Sequence, residues 1–195
     1  MAKEFYGFFD SVSGDEREYD AEEFAQILRA SLQNGITSHA QDGLKVLRDG
    51  ATMRTKVSPG GCVINGYLYV LSDDGGAELG FEHVAAVGSP RWDRIVARLD
   101  KSADKRSISL KLAVGVSGQE APALVRDDNV YELSLAKVCI RPGAGAISEE
   151  DIVDERMDES LCGTAVPVWL SKENMSQQFT VASITDGEID AIMNA

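Results

Sequence analysis

The chain has 195 residues, of which 44% are hydrophobic and 26% are charged, as is typical of a globular protein with its own core. Its formal net charge of −13 argues against nucleic-acid binding, because 19 basic residues are scattered among 32 acidic ones. No apolar run reaches the roughly 18 residues of a membrane helix, and the first residues do not resemble a signal peptide. We therefore expect a protein that is made and folded in the cytosol, without membrane insertion.

The first clear element is a helix that begins after Asp20. Asp20 and Glu23 are spaced as a capping box, and Tyr19 is placed to pack on Phe24. Apolar residues then recur at the spacing of one helical face: Phe24, Ile27, Leu28 and Leu32. Asn34-Gly35 is expected to end the helix in the left-handed region. The apolar face packs either on the sheet of its own subunit or on a neighbouring subunit or assembly partner.

Beyond Leu44 the pattern changes to the two-residue period of strands. Asn65-Gly66 favours the type I′ turn of a tight hairpin, which would pair residues 62–64 with residues 67–69. Just before this hairpin, Gly60-Gly61 is expected to form a bulge or a sharp corner, since glycine has no Cβ. Tyr67 and Tyr69 share one strand face, where they either belong to the core or an interface or stack on a sugar ring.

Two further hairpin strands and one long strand complete the predicted sheets. Ile95, Ala97 and Leu99 alternate with polar residues, and residues 108–114 do the same, so these two runs are expected to pair antiparallel. In residues 130–140 the apolar residues change parity, which predicts either a bulge near Ala136-Lys137 or burial of both faces.

An acidic segment follows the last long strand. Ser148, with Asp151 three residues later, predicts a short helix that continues to about Met157. Its acidic residues are expected to form a hydrated face: Glu149, Glu150, Asp151, Asp154 and Glu155. Arg156 is expected to turn back onto a carboxylate in a structural role.

The composition shifts after Gly163, which divides the chain into a main module at residues 1–163 and a C-terminal extension at residues 164–195. The extension carries Trp169, a large ring that needs a covering surface, and a capping box that predicts a helix over residues 185–193. The extension is expected to pack on a neighbouring subunit. The candidate interface consists of Phe24, Leu28, Trp169 and Ile189.

The residues that carry catalysis or bind metals form no recognised pattern. His39 and His83 are the two histidines, and neither lies in a zinc motif. There is no nucleophile elbow and no phosphate-binding loop. The three cysteines form no CxxC pair, and Cys62 and Cys139 are expected to be buried as small hydrophobic residues. We therefore predict no catalytic residue, no cofactor and no metal site, although carboxylates that meet only in space stay open as an alternative.

Six short motifs run along the chain: FFDS at 8–11, YDAEEF at 19–24, PGGCVINGY at 59–67, WDRIVARLD at 92–100, VYELSLA at 130–136 and ISEEDIVDER at 147–156. In this order they resemble the N-terminal module of baseplate and tail-fibre (receptor-binding-type) structural proteins of tailed phages and prophages of Gram-positive bacteria. The resemblance covers about residues 5–163. It implies a β-sandwich-like module that commonly trimerises and attaches a host-recognition fibre to the tail tip. After Gly163 the chain departs from that family, because Pro167 and Trp169 interrupt any coiled-coil stalk.

Together these observations predict a mainly β fold, an antiparallel β-sandwich with an N-terminal helix and one or two short C-terminal helices. The expected function is that of a non-enzymatic structural protein of the phage tail tip or baseplate, assembled in the cytoplasm of the bacterial host. The expected partners are further copies of the chain, with a homotrimer favoured, and other tail proteins. Two alternatives stay open: a carbohydrate-binding module that contacts a host-surface saccharide, and a wall hydrolase with two carboxylates in a cleft.

Overall fold

The computed structural model describes residues 7–37, 42–72 and 79–170. These residues contain one α-helix, α1 (Ala21–Ser31), and ten strands. The strands are β1 (Gly35–Ile36), β2 (Val46–Arg48), β3 (Arg54–Val57), β4 (Gly60–Ile64), β5 (Tyr67–Leu71), β6 (Leu79–Glu82), β7 (Arg91–Asp100), β8 (Ser107–Ala113), β9 (Val130–Ile140) and β10 (Ile152–Asp154). Neighbouring strands pair antiparallel, so the predicted mainly β fold with an N-terminal helix is confirmed.

The strands form three sheets, with the orders β1-β4-β5, β2-β3-β6 and β10-β9-β7-β8. Apolar side chains from all three sheets meet in one core. Its largest fully buried members are Ile36, Leu44, Ile64, Ile95, Leu133, Leu135 and Ile140. Because separate sheets bury their apolar faces against one another, the architecture is sandwich-like.

The tight hairpin between β4 and β5 is confirmed. Asn65 and Gly66 have φ angles of 50° and 82°, the positive values that a type I′ turn requires. The register places Ile64 opposite Tyr67. Tyr67 and Tyr69 are half-buried against the core, so they belong to the fold and do not form an exposed platform for a sugar.

The corner before this hairpin lies at Ser58-Pro59, where the chain passes from the sheet of β3 to the sheet of β4. Gly60 and Gly61 themselves pair with β5 in unbroken register, so the bulge alternative is wrong at these glycines. Their small size serves close backbone approach, since a Cβ on Gly60 would lie 2.5 Å from the amide nitrogen of Leu44.

β9 carries the bulge that its change of parity predicts. Ile95 of β7 pairs with Ala136, whereas the next residue, Val96, pairs with Ser134. Leu135 is therefore the extra residue, one position before the predicted pair. Residues on both faces of β9 are buried around this point.

The acidic helix predicted over residues 148–157 is wrong. Ser148 and Asp151 do form a capping box, but only the single 3-10 turn Glu149–Asp151 follows before the chain extends into β10. β10 pairs with the edge of β9, and this sheet pairing ends the helix. The described helical segments are α1, this turn and a second 3-10 turn at Val168–Leu170, and none is long and apolar enough to cross a membrane.

Part of the acidic segment is buried and not hydrated. The buried acids are Asp151 and Glu155. Asp151 Oδ1 lies 2.8 Å from Arg141 Nη2, and Glu155 Oε2 lies 3.2 Å from Arg94 Nε. Arg156 turns back as predicted, with its guanidinium 2.7 Å from Asp154 Oδ2. The pair of Glu155 with Arg94 of β7 joins the segment to the sheet, whereas the pair of Arg156 with Asp154 lies within the segment.

Candidate assembly surface

The start of α1 follows the prediction closely. Asp20 Oδ1 accepts the Glu23 backbone N–H at 2.9 Å, and Glu23 Oε2 accepts the Asp20 backbone N–H at 2.9 Å. The expected contact between Tyr19 and Phe24 is mediated by a third ring. Phe8 lies between them, with its centroid 5.7 Å from that of Tyr19 and 5.3 Å from that of Phe24. The N-terminal aromatic residues therefore extend the apolar face of the helix.

α1 rests on the turn of the β4–β5 hairpin. Ala25 is the one residue of α1 that is fully buried. It lies so close to Gly66 that a Cβ on that glycine would overlap the Ala25 carbonyl oxygen. Arg29 donates a hydrogen bond of 3.0 Å from Nη2 to the backbone carbonyl of Asn65. The helix thus sits on a single turn of the sheet and not across its face.

A polar contact on the same side of α1 reinforces this attachment. The hydroxyl of Tyr67 donates a hydrogen bond of 2.8 Å to Glu22 Oε2, and Arg29 Nη2 lies 3.1 Å from Glu22 Oε1. The hydrogen bond from Tyr67 lowers the pKa of Glu22. Burial, and then the hydrogen bond to Glu22, raise the pKa of Tyr67. At neutral pH, Glu22 is therefore the charged acceptor and Tyr67 is the neutral donor.

Part of the apolar stripe of α1 is exposed. Phe24 is 50% exposed and Leu28 is 38% exposed, although both belong to the predicted apolar stripe. Exposed aromatic and aliphatic side chains that line up on one helix face are typical of a surface that receives a partner. Ile27 and Leu32 of the same stripe are half-buried, and the ring of Phe8 packs on Phe24. A contact of the exposed part with a neighbouring subunit or partner therefore stays a prediction.

The start of the C-terminal extension lies beside α1. Leu32 forms a β-bridge with Pro167, and the Gln33 backbone N–H donates to the Val166 carbonyl at 2.9 Å. The second 3-10 turn follows, and its Trp169 is 65% exposed. Three of the four candidate interface residues are therefore exposed on neighbouring elements, while Ile189 and the predicted helix over residues 185–193 lie outside the described residues.

A half-open groove of about 760 Å³ adjoins the same elements. Its lining mixes polar and apolar residues from the end of α1, the hairpin turn, β9 and residues 157–170, including Asn34, Asn65, Arg126, Tyr131 and Leu170. Such a volume lies within the range of small-molecule sites. However, Asn34 Nδ2 already donates to Asn65 Oδ1 at 3.1 Å, so these two amides are engaged with each other.

Arg126 in the groove is fully engaged by the protein itself. Its guanidinium donates to the backbone carbonyls of Ser160 and Leu161, both at 2.8 Å, and to that of Glu132 at 3.2 Å. It also lies over the ring of Tyr131, 5.1 Å from the centroid. Arg126 therefore ties β9 to the loop that leads to the C-terminal extension, which is a structural role.

A buried polar network has the connectivity of a catalytic triad. Thr55 Oγ1 lies 3.0 Å from His83 Nε2, and His83 Nδ1 lies 2.9 Å from Asp93 Oδ2. All three side chains are buried, and Thr55 and Asp93 are completely so. A nucleophile must reach its substrate, and this hydroxyl cannot, so the network serves the fold. Sequence reasoning missed it, because only His83 attracted attention as a metal ligand.

The charge of Asp93 is held by three groups. Arg91 Nε donates to its Oδ1 at 2.7 Å, the backbone N–H of Gly115 donates to the same oxygen at 3.0 Å, and His83 bonds the other oxygen. Burial alone would raise the pKa of Asp93, but the hydrogen bonds from His83, Arg91 and Gly115 outweigh burial and lower the pKa to about 2. The carboxylate is therefore ionised at any physiological pH and cannot act as an acid.

Thiol and metal chemistry also find no site in the part of the chain that is described. Cys62 and Cys162 are buried, as the apolar pattern predicts for the first of them, and burial raises the pKa of each thiol to about 12. Cys139 is half-exposed and not buried. No group of three His, Cys, Asp or Glu residues among the described residues could hold a metal ion.

Comparison with models of protein families, with curated proteins and with solved structures finds no match for this chain.

Proposed function

We propose that this protein is a non-enzymatic structural protein of the tail tip or baseplate of a phage or prophage, where it forms or attaches part of the host-recognition apparatus. The observation that carries the proposal is the exposed apolar face of α1, with Phe24 and Leu28, next to the exposed Trp169. The resemblance of six ordered motifs to tail and baseplate proteins adds the setting. In this setting the protein is located in the virion tail after assembly in the bacterial cytoplasm.

Energetics support an assembly role for α1. An isolated helix of 11 residues is marginal in water, and α1 buries only Ala25 completely. Because Phe24 is 50% and Leu28 38% exposed, covering them with a partner would add roughly 0.5–1.5 kcal/mol for each side chain. A partner would therefore stabilise the helix as it binds. Its expected identity is another tail or baseplate protein or a further copy of the chain, with a homotrimer favoured.

The carbohydrate-binding module remains the second candidate, and the groove of about 760 Å³ is the observation that favours it. A host-surface saccharide bound there would contact residues such as Gln33 and Tyr131 at the groove wall. Isothermal titration of the purified chain with host wall polysaccharide separates the two candidates, since an assembly protein gives no heat of binding.

The location is tested by immunogold electron microscopy of phage particles with antibodies against the purified chain. Gold at the tail tip is the expected result. Label that is absent from purified particles, or confined to cell debris, contradicts the proposal.

The surface is tested by complementing particles that lack the protein with the double variant Phe24→Ser, Leu28→Ser. We expect this variant to fold, because both side chains are exposed, and to be missing from purified particles. Leu68→Ser with Val70→Ser is the matched control, since both side chains are exposed apolar residues on β5. Equal incorporation of both double variants would show that the face of α1 does not dock.

A further inference from the structure

Three loop segments of the sandwich carry no charged residue, and charged residues such as Glu120 and Arg141 border them. The three segments are residues 84–90 after β6, residues 114–119 after β8 and residues 142–146 after β9, and we call them the uncharged loops. Together they hold eighteen residues, in which the overall charged fraction of 26% would place about five Asp, Glu, Lys or Arg residues. Their absence is therefore a feature of this part of the molecule and not of the composition.

The uncharged loops lie side by side at one end of the sandwich. Ala86 forms a parallel bridge with Pro142, which joins the first loop to the third. The Gly118 backbone N–H donates to the Pro90 carbonyl at 2.8 Å, which joins the first loop to the second. The three loops thus form one continuous surface.

This surface is apolar as well as uncharged. Four valines project from it, and each is more than half exposed: Val84, Val87, Val114 and Val116. Val87 is the extreme case, at 85%. Single exposed apolar residues are ordinary, but a cluster of them is typical of an interaction surface.

The buried network of Asp93 holds two of the uncharged loops from beneath. Arg91 Nη2 donates to the Val84 carbonyl at 2.7 Å, and Asp93 Oδ1 accepts the Gly115 N–H at 3.0 Å. The loops are therefore fixed before any partner arrives, so docking costs little ordering entropy. The buried His83–Asp93–Arg91 arrangement therefore has a structural role, which is to hold these loops in place.

We propose that the uncharged loops are the face through which copies of this chain associate with one another. The occupant is a second copy because each copy carries a net charge of −13, and like-charged copies repel wherever their carboxylates face each other. An end without carboxylates is where two copies can approach without that cost. Eighteen residues also come close to the roughly 20–30 residues that each side of a specific interface supplies.

Charged pairs border the surface as a polar rim. Arg141 Nη2 lies 2.8 Å from Asp151 Oδ1, and Arg48 Nε lies 3.3 Å from Glu149 Oε1, next to the third loop in sequence and space. An apolar centre with a charged rim is the usual anatomy of a protein interface. The inference rests on the proposed assembly function and deepens it, since it assigns self-association to a surface other than α1.

The test is the mass in solution, measured by light scattering after size exclusion at several protein concentrations and two salt concentrations. The wild-type chain is expected to show a multiple of 21.0 kDa that rises with concentration and with salt, because salt screens the repulsion between copies. The double variant Val87→Asp, Val116→Asp is expected to associate at least 100-fold more weakly. The matched control, Val12→Asp with Val70→Asp, adds the same charge at valines outside the loops that are likewise more than half exposed, and it is expected to retain the wild-type mass.

A wild-type chain that stays monomeric at all concentrations, or a loop variant that associates as well as the control, overturns the inference. Equal urea unfolding midpoints for the two double variants show that a loss of mass is not a loss of fold. Failure here leaves the proposed function standing if Phe24→Ser, Leu28→Ser particles still lack the protein, and so the two failures are distinguishable.

Discussion

Replacing Asp93 with alanine should cost about 3–5 kcal/mol of unfolding free energy. The substitution removes an acceptor that holds Arg91, His83 and the backbone of Gly115. It leaves a guanidinium that is about 10% exposed without its counter-charge, and breaking a buried ion pair from one side typically costs this amount. Since small domains are stable by only about 5–15 kcal/mol, the loss is a large fraction of the total.

The assay is equilibrium unfolding in urea at pH 7, followed by circular dichroism. Asp104→Ala is the control, because Asp104 is an exposed residue of the loop between β7 and β8 and should shift the free energy by no more than about 0.5 kcal/mol. If Asp93→Ala and Asp104→Ala unfold within 1 kcal/mol of each other, the reasoning about the buried network is wrong.

The same carboxylate gives the stability of the wild-type chain a defined pH dependence. The pKa of Asp93 is about 2 in the folded protein, below its ordinary value of 3.8. A lowered pKa contributes stability that is present above the ordinary value and is lost as the pH falls toward the folded value, and this difference corresponds to about 2 kcal/mol. Between pH 4 and pH 2 the wild type should therefore lose about 2 kcal/mol more of its unfolding free energy than the variant Asp93→Asn loses. Parallel curves would contradict this.

Two further predictions concern close packing. Gly66→Ala should cost at least 1 kcal/mol more than Gly143→Ala in urea unfolding, because both glycines have positive φ but only a Cβ at Gly66 meets α1; equal losses would mean that α1 does not depend on this contact. In native protein at pH 8, a thiol reagent should modify Cys139 alone, because burial raises the pKa of Cys62 and Cys162 to about 12. Rapid labelling of three thiols without denaturant would show that the core opens readily.

The sequence predicts correctly those elements that depend only on residues close together in the chain. The capping box at Asp20, the turn at Asn65-Gly66 and the two-residue period of β7 and β8 each depend on neighbouring residues only, and each is present. The bulge in β9 was also readable, because a change of parity needs an extra residue. These features need no knowledge of what packs above them.

Features set by distant contacts were not predicted. The segment after Ser148 has the composition of a helix but becomes β10, because β9 offers it an edge with which to pair. Gly35 does not end α1 in the left-handed region; the helix is capped at Leu32 in an extended conformation. Gly35 instead lies in β1, where a Cβ would be 2.5 Å from the carbonyl oxygen of Gly163. Sequence spacing shows that a glycine is present but not which distant segment packs against it.

The candidate site was predicted in part. The helical stripe identified Phe24 and Leu28, and both are exposed. The uncharged loops and the buried network were not predicted, although the position of Asp93 in the strand pattern indicates that it is buried. It shares its parity with Ile95, Ala97 and Leu99, which face the core, so a carboxylate at that position had to be buried and paired.

The two exposed apolar surfaces differ in how they are supported, and this difference argues for different partners. α1 is attached mainly through the β4–β5 hairpin and gains stability when a partner covers it, so it suits a contact that forms during assembly. Two of the uncharged loops are tied to a buried ion pair and are ordered in advance, so they suit a contact that forms first and persists. The proposed assembly role would use both kinds of surface. Asp93→Asn should accordingly weaken self-association, because Asp93 holds Gly115 directly and holds Val84 through Arg91. The incorporation that depends on Phe24 and Leu28 should fall only to the extent that it requires self-association.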